Sequence, residues 1–123
     1  MAKKILVVDD DDLVLIALTE LLKPKGYEVM TALSGPAALD LLSRDRVDLI
    51  ILDIIMPEMS GLEVCRKIRT METNQDVPII MLTAKSADED KQQGMDAGAN
   101  LFLPKPISPQ RLIQLIDEAV QAR

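Results

Sequence analysis

A chain of 123 residues, 48% hydrophobic and 28% charged, is long enough for one hydrophobic core and too short for two, so residues 1–123 are read as one domain. A formal charge of -6 with one Phe and one Tyr argues against nucleic acid as a direct partner, because phosphate contacts need clustered Lys and Arg and base stacking needs aromatic rings. One cysteine and no histidine exclude an internal disulfide, a zinc ligand set and a Cys/His nucleophile; apolar runs far below membrane-spanning length and the lack of a signal-peptide pattern in residues 1 to 8 predict a cytoplasmic protein without a membrane partner.

The first element is Ile5-Leu6-Val7-Val8, a continuous apolar run that ends in Asp9-Asp10-Asp11-Asp12. Its brevity and its β-branched residues predict a strand buried on both faces, since a strand with one wet face alternates. Val14, Ala17, Leu18 and Leu21 recur at helical spacing, with Asp11 and Asp12 placed to cap the helix and favour its dipole, and Pro24 and Gly26 stop it. Tyr27 to Ala32 has the mixed polarity of an edge strand. Ser34-Gly35-Pro36 opens a second helix through Leu42.

Leu49-Ile50-Ile51-Leu52 is a second unbroken run, and Asp53 closes it. An ionised carboxylate beside such a run is costly to bury, so it must be solvated, paired or metal-bound at the strand's mouth. After the breaks at Met56-Pro57 and Ser60-Gly61, the residues Val64, Cys65, Ile68 and Met71 predict a third helix, with Cys65 a small buried hydrophobe. The polar tract Glu72 to Asp76 leads to Ile79-Ile80-Met81-Leu82, a third buried run closed by Thr83. The next helix, about Ala87 to Ala97, has almost no apolar stripe, and Gly94 lowers its propensity, so it is expected to be loosely held. Leu101-Phe102-Leu103 ends in Pro104-Lys105-Pro106, and Ser108-Pro109 caps a last helix carrying Leu112, Leu115, Ile116 and Ala119.

Five short strands alternating with five helices imply right-handed crossovers and a doubly wound α/β domain, a five-stranded parallel sheet covered on both faces. In such a sheet all C-terminal strand ends share one rim, where ligands bind. The residues delivered there are Asp9, Asp10, Asp53, Thr83 and Lys105. Carboxylates a few ångströms apart repel unless a cation intervenes, and an all-oxygen set suits a hard ion such as Mg2+. Lys105 and Thr83 then offer a charge and a hydrogen-bond donor to phosphoryl oxygens, and Asp53 is positioned to attack phosphorus.

Val7-Val8-Asp9-Asp10, Leu52-Asp53-Ile54-Ile55-Met56-Pro57 with Ser60-Gly61, Leu82-Thr83-Ala84, Gly94 with Ala97-Gly98-Ala99, and Lys105-Pro106 follow one another in order across essentially the whole chain. Together they resemble the response-regulator receiver domain of two-component signalling, the CheY-like family. The resemblance implies a flavodoxin-like strand order of 2-1-3-4-5. It implies that Asp53 accepts a phosphoryl group from a sensor histidine kinase or a histidine phosphotransfer protein. By the same resemblance Mg2+ is held by Asp10 and Asp53, by Asp9 through water and by the backbone carbonyl of Ile55. Thr83 and Lys105 contact the phosphoryl group, small Ala84 leaves it room, and Lys105-Pro106 is cis. Phe102 stands where many receivers carry an aromatic that turns inward when Thr83 bonds the phosphoryl group, and a target protein reads the face made by the fourth helix, fifth strand and fifth helix. Ile55 and Lys85 flank the position that varies with dephosphorylation rate, and bulky Ile55 is expected to hinder the attacking water.

Such a domain catalyses its own phosphorylation and dephosphorylation and is not a turnover enzyme. The alternative is a phosphohydrolase with an aspartyl nucleophile, which calls for a second acid two residues after Asp53, where Ile55 stands. A flavin or nucleotide carrier needs a Gly- or Ser/Thr-rich phosphate loop after the first strand, where four aspartates stand instead. No output segment is expected after the last helix, which leaves a stand-alone receiver and a piece of a longer regulator both open.

Overall fold

The computed structural model describes residues 2–84 and 88–122, and of residues 88–90 the backbone alone. Its strands are β1 (Lys4–Val8), β2 (Glu28–Ala32), β3 (Leu49–Leu52), β4 (Ile79–Thr83) and β5 (Leu101–Pro104). They pair in parallel in the order β2-β1-β3-β4-β5, as the resemblance implied. The helices are α1 (Asp12–Leu22), α2 (Gly35–Arg44), α3 (Gly61–Ile68), α4 (Asp88–Asp96) and α5 (Pro109–Gln121). A 3-10 turn at Lys23–Lys25 follows α1 and closes on Gly26, whose φ of 93° only glycine adopts without strain. None of the described helices is long and apolar enough to cross a membrane.

The unbroken apolar runs are explained by their two faces. Leu6, Val8, Ile50, Leu52, Ile79, Met81 and Phe102 point to one side, where they meet Ala38 and Leu42 of α2, Val64, Cys65 and Ile68 of α3, and Ala97 just after α4. Ile5, Val7, Leu49, Ile51, Ile80 and Leu82 point to the other, against Leu15, Leu18 and Leu22 of α1 and Leu112, Ile116 and Val120 of α5. Successive strand residues therefore enter different cores, which are apolar until the strand ends are reached. β2 and β5, the edge strands, carry the mixed burial expected of edges. Pro104, which lacks an N–H, is tolerated because it ends an edge strand.

The starts of α1, α2 and α5 follow the predicted caps, and Ser60, read from the sequence as part of a break, caps α3 as well. Asp11, Ser34, Ser60 and Ser108 are the N-caps of α1, α2, α3 and α5, each accepting a backbone N–H from the first turn. The described part of α4 starts at Asp88, so the expected beginning at Ala87 lies outside the described residues. The helix predicted through Met71 stops earlier: α3 ends at Ile68, and Thr70 and Met71 fold into short i to i+3 hydrogen bonds on Lys67 and Ile68. Arg69 causes this. Its guanidinium turns away to donate to the carbonyls of Gly98 (2.7 Å), Val77 (2.6 Å) and Gln75 (3.0 Å) and to Asn100 Oδ1 (2.9 Å), tying the rim before β4 to the turn before β5.

The polar tract after α3 hides a second tie. Asn74 is buried, accepts from Val47 N–H (3.1 Å) and donates to the carbonyls of Leu42 (2.9 Å) and Asp45 (3.0 Å), fastening the end of α2 to the approach to β3. A buried amide with three backbone partners stabilises mainly because its partners cannot turn to water when it is lost. Asn74→Ala is expected to lower unfolding stability by about 3 kcal/mol, read as a lower urea midpoint with an unchanged slope.

Candidate functional site

The rim residues are placed by ladder hydrogen bonds that run one residue past the strands. Asp9 N–H donates to Ala32 O (3.2 Å), Asp53 N–H to Val8 O (3.1 Å) and Lys105 N–H to Thr83 O (2.7 Å). These bonds fix the backbone of three site residues to the rigid sheet. The side chains then converge: Lys105 Nζ lies 3.0 Å from Asp9 Oδ2 and 3.5 Å from Asp53 Oδ2, the Thr83 hydroxyl acts on Asp53 in favour of its charged form, and the Lys105–Pro106 peptide is cis. Asp10, exposed at the surface, completes a set in which one carboxylate oxygen each from Asp9, Asp10 and Asp53 lies within 4.8 Å of the others.

The ammonium sits nearer to Asp9 than to Asp53, so the buried Asp9 is its principal partner. Asp9 Oδ1 is also held by the N–H of Asp11 at 2.9 Å, and Asp53 Oδ1 by the N–H of Ile55 at 3.2 Å. Both carboxylates are thus aimed by the backbone that follows them.

Electrostatics match the geometry. Burial pushes the Asp53 carboxyl above the usual carboxylate range; Lys105 opposes that, Asp9 adds to it, and the bonds from Ile55 and Thr83 oppose it again. Burial works to lower Lys105, but the hydrogen bond to Asp9 and the charges of Asp53 and Asp9 outweigh it and raise the ammonium's pKa, so it stays charged at neutral pH. One ammonium against three carboxylates leaves a surplus of two negative charges, which one divalent cation neutralises. Oxygen donors alone, with an exposed side open to water, suit Mg2+.

The loop from Asp53 to α3 contributes a constraint not foreseen from the sequence, which marks Ser60-Gly61 only as a break. Gly61 N–H donates to Ile54 O (2.9 Å), folding the loop onto the strand end. A Cβ at position 61 would stand 2.1 Å from the Asp53 carbonyl oxygen, so only glycine permits this approach. At the loop's tip Glu58 takes a φ of 68° and Met59 N–H donates to Pro57 O (2.8 Å), a tight three-residue turn. Ile55 is half exposed at the mouth, and Ala84 is exposed beside Thr83. Lys85, the other expected flanking residue, lies outside the described residues.

Comparisons with known proteins converge on this arrangement. A family model described as the response regulator receiver domain matches residues 5–117. Response regulator MprA of Mycolicibacterium vanbaalenii is 45% identical over 113 residues, which are 92% of this chain and 48% of that protein. The chain thus spans about half the length of the curated relatives it matches. Among solved structures, chemotaxis protein CheY4 of Vibrio cholerae superposes with a TM-score of 0.92 at 35% identity, covering 97% of this chain and 99% of that one. The receiver domain of a Pseudomonas aeruginosa sensor histidine kinase, solved with a magnesium ion coordinated in its active-site cleft, gives a TM-score of 0.90 at 30% identity over 98% of this chain and 99% of that one.

The electrostatics set a sign for pH. Because the folded pKa of Asp53 is raised, its protonated form contributes stability below the unfolded pKa, and that contribution is lost as pH rises through the folded value. Asp53→Asn is therefore expected to be more stable than the parent at neutral pH without divalent cations, with the difference shrinking on acidification; urea melts from pH 3 to 7.5 in chelator measure it. Gly61→Ala is expected to weaken Mg2+ binding about tenfold or more, because it displaces the Asp53 carbonyl, as titrated by calorimetry.

Proposed function

The chain belongs to the response-regulator receiver family, a phosphoacceptor module of two-component signalling, and from that premise we propose that Asp53 is its phosphoacceptor and that residues 1–123 act as one receiver unit. The observation that carries this is the meeting of Lys105 and Thr83, from the ends of β5 and β4, on the Asp53 carboxylate at the end of β3. A phosphohistidine on a sensor kinase or histidine phosphotransfer protein is the donor. One Asp53 oxygen forms the new P–O bond as the P–N bond breaks, and the departing imidazole nitrogen takes up a proton.

Lys105 and Thr83 hold the equatorial oxygens of the transferring group, where charge is greatest. Asp10, Asp53 and the Ile55 carbonyl, with Asp9 through water, would hold Mg2+, which would supply further neutralisation of the phosphoryl charge and of the carboxylates. The domain acts on its own side chain and is not a turnover enzyme. A cytoplasmic setting goes with this chemistry.

Leu13 (73% exposed), Ile16 (54%), Leu33 (50%) and Ile55 (50%) support a protein donor. All lie just beyond strand ends or in the first turns of α1, so they border the acidic mouth with apolar surface that a partner can cover. On the output side, the Asp53 phosphoryl group draws Thr83 toward it, and Phe102, on the same face of the sheet, follows; the surface of α4, β5 and α5 is what a target protein reads. Asp88 to Asp90, the acidic run on α4, have side chains outside the described residues. The phosphohydrolase alternative has no support, since the second acid it requires is replaced by Ile55 and the relatives are receivers.

Incubation with acetyl phosphate and Mg2+ is expected to add one phosphoryl mass to the parent protein and none to Asp53→Asn, read by intact-mass spectrometry. The half-exposed Ile55 at the mouth is in the path of attacking water, so Ile55→Asn is expected to shorten the phosphoryl lifetime several-fold, about 1 kcal/mol in barrier. A parent that decays faster than this variant defeats the shielding role.

A further inference from the structure

Helix α4 meets the rest of the domain in an unusual way. Among residues 91–96, the part of α4 whose side chains are described, Gly94 alone is buried. A methyl group placed on it would lie 3.1 Å from Cδ2 of Phe102, 3.6 Å from Cε2 and 3.8 Å from Met81 Cγ. The first of these is well inside the separation of about 3.5–4.0 Å at which carbon atoms pack. The helix therefore rests on the Cδ2–Cε2 side of the Phe102 ring through a residue that has no side chain.

Local energetics do not explain a glycine there. Alanine is the better helix former, and among the described side chains of α4 Lys91, Gln92, Gln93, Met95 and Asp96 are all exposed and do little to hold the helix to the sheet. Gly94 also has no positive φ; those of the described glycines are at 26 and 98. What the position supplies is space. Phe102, 9% exposed, fills it and pairs across the sheet with Met81, two residues before Thr83 on the same strand and the same face.

We infer that Gly94 is the seat of the Phe102 ring: its missing side chain lets the ring lie inward beneath α4 and so sets how readily Thr83 and Phe102 adopt the phosphoryl-bound arrangement. The last clause rests on the function proposed above; the seat itself rests on geometry alone. A side chain at 94 forces either the ring outward or the helix off the sheet. Gly94 is a positioning residue, in contact with neither the carboxylates nor the phosphoryl group.

The chain's single Phe makes the test direct. Biosynthetic incorporation of 4-fluorophenylalanine gives one 19F resonance, that of position 102, recorded for the parent and for Gly94→Ala, each with and without Mg2+ and beryllofluoride. The expected result is a resonance in Gly94→Ala displaced toward the solvent-exposed shift before any beryllofluoride is added, and beryllofluoride binding weakened about fivefold, the mild end of what overpacking by one methyl produces. Urea melts supply the second arm. Helix propensity alone has Gly94→Ala raise the midpoint; the seat has it fail to do so in the Phe102 protein and succeed in the Phe102→Leu background. A resonance unmoved by Gly94→Ala, or a midpoint raised equally in both backgrounds, overturns the inference. If the parent itself fails to bind beryllofluoride, the phosphoacceptor reading falls, while the resonance and the melts still decide the seat.

Discussion

The ammonium of Lys105, held between Asp9 and Asp53, is the interaction on which the rest of the structure depends. Three carboxylates within 4.8 Å of one another, two of them buried, form a cluster that tends to push itself apart or take up protons. One fixed cation lowers that tendency without abolishing it, and Asp53 stays raised. The remaining charge is what gives the site an appetite for a divalent ion. A fully neutralised site would be more comfortable and would bind nothing.

Such a cluster can exist only where something rigid holds it. The sheet does so by extending its hydrogen-bond ladder to the backbone of Asp9, Asp53 and Lys105, and Gly61 locks the loop behind Asp53 against the strand end. Beneath the rim, β1, β3 and β4 are buried on both faces, so no strand can slide without moving its side chains between two filled cores. The stiffness of the interior is thus transmitted to the acids.

Rigidity is unevenly distributed, and this suits a switch. α3 buries Gly61, Val64, Cys65 and Ile68, and the adjoining Arg69 guanidinium pins the far rim with bonds to the carbonyls of Gly98 and Val77. α4 buries only Gly94 among its described side chains and leans on one aromatic ring. A domain built this way keeps the Asp53 carboxylate fixed while an element on the neighbouring surface is held by less.

Much of this was legible in the residues. The unbroken runs at Ile5, Leu49 and Ile79 require strands with two dry faces, the caps at Asp11, Ser34 and Ser108 mark where helices begin, and the common C-terminal edge of a parallel sheet puts Asp9, Asp10, Asp53, Thr83 and Lys105 on one rim. Period, capping and charge are local properties, which is why the sequence carries them openly. Tertiary structure alone decided that Lys105 lies closer to Asp9, 96 positions away, than to Asp53, 52 positions away. It also decided that Arg69 would bond the carbonyl of Gly98, that Asn74 in a polar tract would be buried, and that Gly61 and Gly94 would be needed for space. Each of these is a contact between groups that belong to different strands, helices or loops, and only strand register and the packing of helices on the sheet set such distances.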